Sequence, residues 1–126
     1  MDISIGSDGG KNCHVTISGQ LTESLSKPEP VLFFKDLQQS PSKMRVDGLQ
    51  FAIQEKMGFN LWWIMPVENK VPAYRLMMPV ESRGGFDFEK IKPLQSPDGA
   101  LGIALTSFKV TEKNMSFMIM LDLTKQ

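Results

Sequence analysis

The sequence predicts an all-β fold: an antiparallel β-sandwich over residues 1–126, with the jelly roll as one arrangement open to it and with few or no helices. Three observations predict it. Apolar residues recur with period two along most of the chain, and the alternating runs are short and punctuated by Gly, Pro, Asn and Asp. No segment carries apolar residues at i, i+3, i+4 and i+7 over enough turns for a stable amphipathic helix.

From the N-terminus, Ile3 and Ile5 suggest a short strand, followed by the turn Gly6-Ser7-Asp8-Gly9-Gly10. Val15 and Ile17 resume the alternation, which places His14, Thr16 and Ser18 toward solvent. Leu21 with Leu25 has the spacing of one helical turn. Val31-Leu32-Phe33-Phe34 reads as a buried strand approached through Pro28 and Pro30, and residues 38–43, with Ser40-Pro41-Ser42, read as a surface loop. Asp47-Gly48 and Asp98-Gly99 are turn signals.

Leu49, Phe51 and Ile53, then Glu55-Lys56-Met57-Gly58, then Phe59, Leu61, Trp63 and Met65 read as a hairpin. Tyr74, Leu76, Met78 and Val80 form another alternating run, and Pro72 and Pro79 assign it to a sheet edge. Arg83-Gly84-Gly85 then turns the chain into a short segment around Phe86 and Phe88. Phe88 with Ile91 has the spacing of a helical turn that Pro93 would stop.

The clearest pattern is C-terminal, where Met115, Phe117, Ile119, Leu121 and Leu123 fall on alternate positions of one long strand. Leu101, Ile103 and Leu105 precede it across the polar connection Glu112-Lys113-Asn114, which predicts a second hairpin. Apolar parity shifts at Phe108 and Val110, so a bulge or bend near Ser107 is expected.

At 126 residues the chain has the size of one domain. Its 14 basic and 14 acidic residues are interspersed without blocks, which leaves no electrostatic footprint for nucleic acid or for an anionic membrane. No apolar run approaches the roughly 18 residues of a membrane helix. Met1-Asp2-Ile3-Ser4-Ile5-Gly6 lacks the basic and apolar regions of a secretory leader, so the expectation is a chain that stays in the cytoplasm as synthesised, or is taken from there into a virion.

The motif search predicts no enzyme and no cofactor. Gly6-Ser7-Asp8-Gly9-Gly10-Lys11 falls short of a phosphate loop, because Ile5 stands where its first Gly belongs and Asn12 where Ser or Thr belongs. Cys13 and His14 are single residues of their kinds and, as neighbours on a strand, point to opposite faces. They cannot act as nucleophile and base, and they fall short of a zinc ligand set. Asn114-Met115-Ser116 matches a glycosylation acceptor without a secretory context. Glu81, Asp87 and Glu89 are the one carboxylate group that a hydrolase or isomerase could use, the weakest of three functional readings.

What sets the sequence apart is the residue type at nominally outward strand positions. Trp62 and Ile64 oppose Leu61 and Trp63, Met118 and Met120 oppose Phe117 and Ile119, and Met77 opposes Leu76 and Met78. Strands apolar on both faces are expected to be covered on both, and no helix is present to do it. Two readings of these positions are open: loops of the chain itself, such as residues 38–43, or the closing of a sandwich or barrel bury them, or Trp62, Ile64, Met77, Met118 and Met120 are the candidate interface, since aromatics and Met are enriched in interface cores. The partner this implies is another protein, self or a larger assembly such as a virion carrying a decoration or fibre-associated subunit. Carbohydrate is the alternative partner, with Trp62 or Tyr74 as a stacking platform and nearby Asn, Gln or Asp holding hydroxyls.

Overall fold

A computed structural model describes residues 1–88 and 94–126. Ten strands are assigned: β1 (Asp2–Gly6), β2 (Asn12–Leu21), β3 (Glu29–Phe33), β4 (Met44–Ile53), β5 (Gly58–Glu68), β6 (Val71–Glu81), β7 (Arg83–Asp87), β8 (Leu94–Gln95), β9 (Gly102–Phe108) and β10 (Met115–Lys125). A single 3-10 turn, Phe34–Asp36, follows β3. Every pairing is antiparallel. The first sheet runs β1-β2-β10-β4-β7, with β8 also paired to β4, and the second runs β3-β9-β5-β6.

With β1 and the two-residue β8 set aside, the other eight strands pair first with last (β2 with β10), second with seventh (β3 with β9), third with sixth (β4 with β7) and fourth with fifth (β5 with β6). That is a ribbon folded in half and wound around a core, the jelly roll. β1 is an addition at the edge of the first sheet, held by β2 through the register Ile3 to Ile17 and Ile5 to Val15.

The winding corrects both hairpins expected from sequence. β4 and β5 lie in different sheets, as do β9 and β10, so residues 54–57 and 109–114 cross the sandwich. The long hairpin is β5–β6, closed at Asn69 and Lys70, whose φ values of 52° and 64° give the doubly left-handed turn that matches strand twist. Arg83-Gly84-Gly85 is not a turn but strand, paired with residues 50–52 of β4. The change of sheet occurs one residue earlier, at Ser82 with φ 65°. Asp47-Gly48 is likewise inside β4, at an irregularity opposite Asp122 and Leu123, whereas Asp98-Gly99 does turn the chain. No helical turn forms at Leu21–Leu25, and the one expected at Phe88–Ile91 falls on residues outside those described.

The bulge expected near Ser107 is also elsewhere. Ser107 keeps the inward position opposite Phe59, where a buried hydroxyl is satisfied by the Leu25 backbone N–H, which donates to it at 2.7 Å. Phe108 simply faces outward at the strand end. The register shifts instead in β6 between Met78, opposite Leu61, and Leu76, opposite Trp62, which leaves Met77 as the extra residue. Met77 packs against the core. The proline rule does hold, because β6 is an edge strand with Pro72 and Pro79 exposed.

Inner faces meet as the period-two pattern requires. Cys13, Val15 and Ile17 of β2 and Phe117, Ile119, Leu121 and Leu123 of β10 face Phe59, Leu61 and Trp63 of β5 and Ile103 and Leu105 of β9, all buried. Phe59 and Phe117 touch across the sandwich with ring centroids 4.6 Å apart. Far-edge aromatics Phe51, Phe86 and Phe88 stack in sequence at 6.2 and 5.7 Å.

Candidate functional site

The two outer faces differ in chemistry. On the first sheet, register places His14, Asp122, Gly48 and Asp87 in one row, Thr16, Met120, Gln50 and Gly85 in the next, and Ser18, Met118, Ala52 and Arg83 in a third. This face is polar. His14 Nδ1 pairs with Asp122, both about half exposed, and such an exposed pair adds little to stability. Asp47 accepts from Arg45 Nε at 2.6 Å and from the Thr124 hydroxyl. Above them lies a cavity of about 370 Å³ lined by Asn12, His14, Asp47, Gln50, Asp87 and Asp122, among others.

Of the residues weighed for chemistry in the sequence, His14 and Asp87 line this cavity and Cys13 and Glu81 do not. Cys13, the one thiol, turns into the core beside His14 and is fully buried; burial chiefly, and then the Asp8 charge, push its pKa up, with Lys125 opposing. Glu81 ends β6 in the second sheet and Asp87 ends β7 in the first, so these two carboxylates of the group read from sequence lie in different sheets; Glu89 lies outside the described residues. Among the described residues, no three His, Cys, Asp or Glu are grouped to hold a metal ion, and no helix is long and apolar enough to cross a membrane.

On the second sheet two adjacent rows of the outer face are apolar from edge to edge. One row is Phe33, Gly102, Ile64 and Tyr74; the next is Pro30, Ala104, Trp62 and Leu76; a third is Thr106, Asn60 and Pro79. Trp62 Nε1 donates to Thr106 Oγ1 at 2.9 Å, which ties the half-buried indole to the sheet and satisfies its one polar atom. Ile64 is 8% exposed and Ala104 fully buried although both face outward, while Leu76 beside them is 50% exposed. The charges stand at the margins: Lys35, whose ammonium lies 5.7 Å from the Phe33 ring centre, and Glu81, opposite Gly58 at the end of β6.

The five residues expected to form one interface are thus divided. Trp62 and Ile64 share the apolar face of the second sheet, Met77 is the bulge residue packed on the core, and Met118 and Met120, 39% and 36% exposed, lie on the opposite side of the sandwich. Two members of the apolar face were not legible. Leu76 reads as inward by alternation with Met78, and only the bulge at Met77 turns it out; Phe33 lay inside a run read as wholly buried.

No family model matches the sequence, and no curated protein matches it. Among solved structures the chain is similar to the Clostridium thermocellum N-terminal endo-1,4-beta-D-xylanase 10B, a structure of CBM22-1 and GH10 modules complexed with xylohexaose. The likeness is 11% in sequence, with a TM-score of 0.48. It covers 99% of this chain and 24% of that one. A likeness of this degree does not bear on what either face of this sandwich binds.

Proposed function

We propose that this chain is a non-catalytic binding module and that another protein, a further copy or a component of a larger assembly such as a virion, seats on the outer face of its four-stranded sheet. One observation carries the proposal: the strip formed by Phe33, Trp62, Ile64, Tyr74 and Leu76 crosses the sheet with charge only at its margins, while the opposite outer face is polar. An apolar centre with depleted charge inside a polar rim is the anatomy of a protein interface. Trp62 and Tyr74 are the anchor residue types, held on strands rather than loops.

The test compares Leu76→Glu and Trp62→Ala with Met118→Glu, which places the same new charge on the other face. Light scattering on the purified chain, with Ile3→Lys/Ile5→Lys present throughout so that the edge strand β1 does not contribute, and co-purification from the source organism, read self-association through this face and a foreign partner respectively. The expected result is association retained by wild type and Met118→Glu and lost by the other two. Equal retention by all four proteins refutes the assignment.

A second reading, carbohydrate binding, is favoured by one specific observation. Trp62 and Tyr74 lie on the same outer face in adjacent rows of β5 and β6, with Asn60 in the neighbouring row. Diagonal neighbours of this kind are about 7–8 Å apart, within the span of a sugar ring stacked across aromatic faces. A glycan array probed with wild type and Trp62→Ala decides it, and no binding to any glycan class ends that reading.

A further inference from the structure

We infer that β1 is a self-pairing edge through which two copies of the chain join their larger sheets. The wound ribbon uses eight strands, and β1 lies outside it, beyond β2, paired with no other strand among the described residues. Ile3 and Ile5 point to the core side with Ile17 and Val15 but remain 40% and 42% exposed, whereas their partners are fully buried. Apolar side chains on the inner face of a sheet are thus left about two-fifths exposed.

The backbone of β1 is open as well. Among the described residues only β2 pairs with it, and no loop or turn hydrogen bond reaches Asp2–Gly6. Natural edge strands are guarded by Pro, Lys, bulges or a covering element. Both edges of the other sheet follow that rule, with Pro30 in β3 and Pro72 and Pro79 in β6. β1, Asp-Ile-Ser-Ile-Gly, has no Pro, no Lys and no register shift.

Its outer end is also fixed in place. Lys125, 4% exposed at its side chain, donates to the Asp8 carbonyl and stands 2.7 Å from Asp8 Oδ1, and Asp8 Oδ2 accepts from the Gln38 N–H at 3.0 Å. The β1–β2 connection is therefore pinned to the C-terminal strand and to the loop after β3.

The sequence selects the occupant. Antiparallel pairing about a two-fold axis at Ser4 sets Ile3 of each copy against Ile5 of the other and Asp2 against Gly6. Four isoleucines then meet on one face and no like charges face each other, as cross-strand pairing favours. The first sheets become one continuous sheet. A five-residue ribbon is below the size of a standard stable interface, so the dimer is reversible, with a dissociation constant in the micromolar to millimolar range. This inference is independent of the face assigned above.

Sedimentation equilibrium of the full chain over a concentration series, from micromolar to millimolar, is expected to show mass rising from 14.1 kDa toward twice that value. Ile3→Lys/Ile5→Lys, which opposes lysines across the join, is expected to raise the dissociation constant about tenfold or more. Ile3→Lys/Ile5→Glu, which opposes Lys to Glu in the Ser4-centred register, is expected to dimerise better than the double lysine variant. Hydrogen exchange on wild type gives a readout that needs no variant: outward amides of β1 gain protection as concentration rises. A wild-type chain that stays monomeric throughout, a double lysine variant that dimerises as wild type does, or protection unchanged with concentration overturns the proposal. Failure of the Lys/Glu variant to outperform the double lysine variant overturns the Ser4-centred register.

Discussion

Gly58 opens β5 on the outer face of the second sheet, opposite Phe108 of β9 and Glu81 of β6. A Cβ at this position would run into the far end of the Phe108 ring and would stand 3.0 Å from Glu81 Cγ. Both obstacles are ends of side chains, so Gly58→Ala should force Phe108 off its seat without separating the strands. Over-packing of this kind costs about 1–3 kcal/mol, and replacing Gly by Ala within a strand returns about 0.5–1 kcal/mol. The net expectation is a loss of about 1–2 kcal/mol. Phe108→Ala alone gives up a half-buried ring, about 1 kcal/mol. In the Phe108→Ala background the clash is gone and Gly58→Ala should become stabilising by about 0.5 kcal/mol, which makes the coupling between the two sites roughly −2 kcal/mol. Urea unfolding of the four proteins of the cycle, followed by tryptophan fluorescence, measures it. A coupling smaller in magnitude than about 0.5 kcal/mol would show that the ring does not occupy this place. Gly102→Ala is the control: its Cβ would overlap the Leu32 carbonyl oxygen, a backbone obstacle that no side-chain truncation relieves. Its cost should exceed that of Gly58→Ala and persist when Phe108→Ala is also present.

Two further predictions concern the buried end of the first sheet. The hydrogen bond from Lys125, followed by that from the Gln38 backbone, holds the Asp8 carboxyl below its ordinary pKa of 3.8. The depressed folded-state value means this contribution is fully present above the unfolded pKa and is lost as pH falls through the folded one. Wild type should therefore exceed Asp8→Asn in stability at neutral pH, with the gap narrowing below about pH 4 in urea titrations; a gap constant down to about pH 2 would contradict the pairing. Cys13 is fully buried with its thiol pushed to higher pKa by that burial, so alkylation by iodoacetamide at neutral pH should proceed only as fast as the protein unfolds. Labelling of the native protein at the rate of an exposed thiol would place Cys13 elsewhere.

Alternation alone determined that the described residues are nearly all β, which side chains of β2, β9 and β10 face inward, that Trp63 is core while Trp62 is not, and, through Pro72 and Pro79, that β6 is an edge. These properties follow from the geometry of a single strand, whose side chains point alternately to two faces whatever it pairs with. Pairing was decided only in the folded chain. β4 with β5 and β9 with β10 look like hairpins because a short polar link can either reverse a strand or carry it to the opposite sheet, and local sequence does not distinguish the two. The jelly-roll winding joins residues as far apart as His14 and Asp122, 108 positions from one another. It also divided the outward residues: the single extra residue at Met77 turned Leu76 toward Trp62, while Met118 and Met120 went to the other side. A one-residue shift exchanges faces because the strand period is two, and whether a bulge occurs depends on the partner strands. The exposed isoleucines of β1 show the same division, since their spacing assigns them an inward face and only the fold reveals that they stay about two-fifths exposed there.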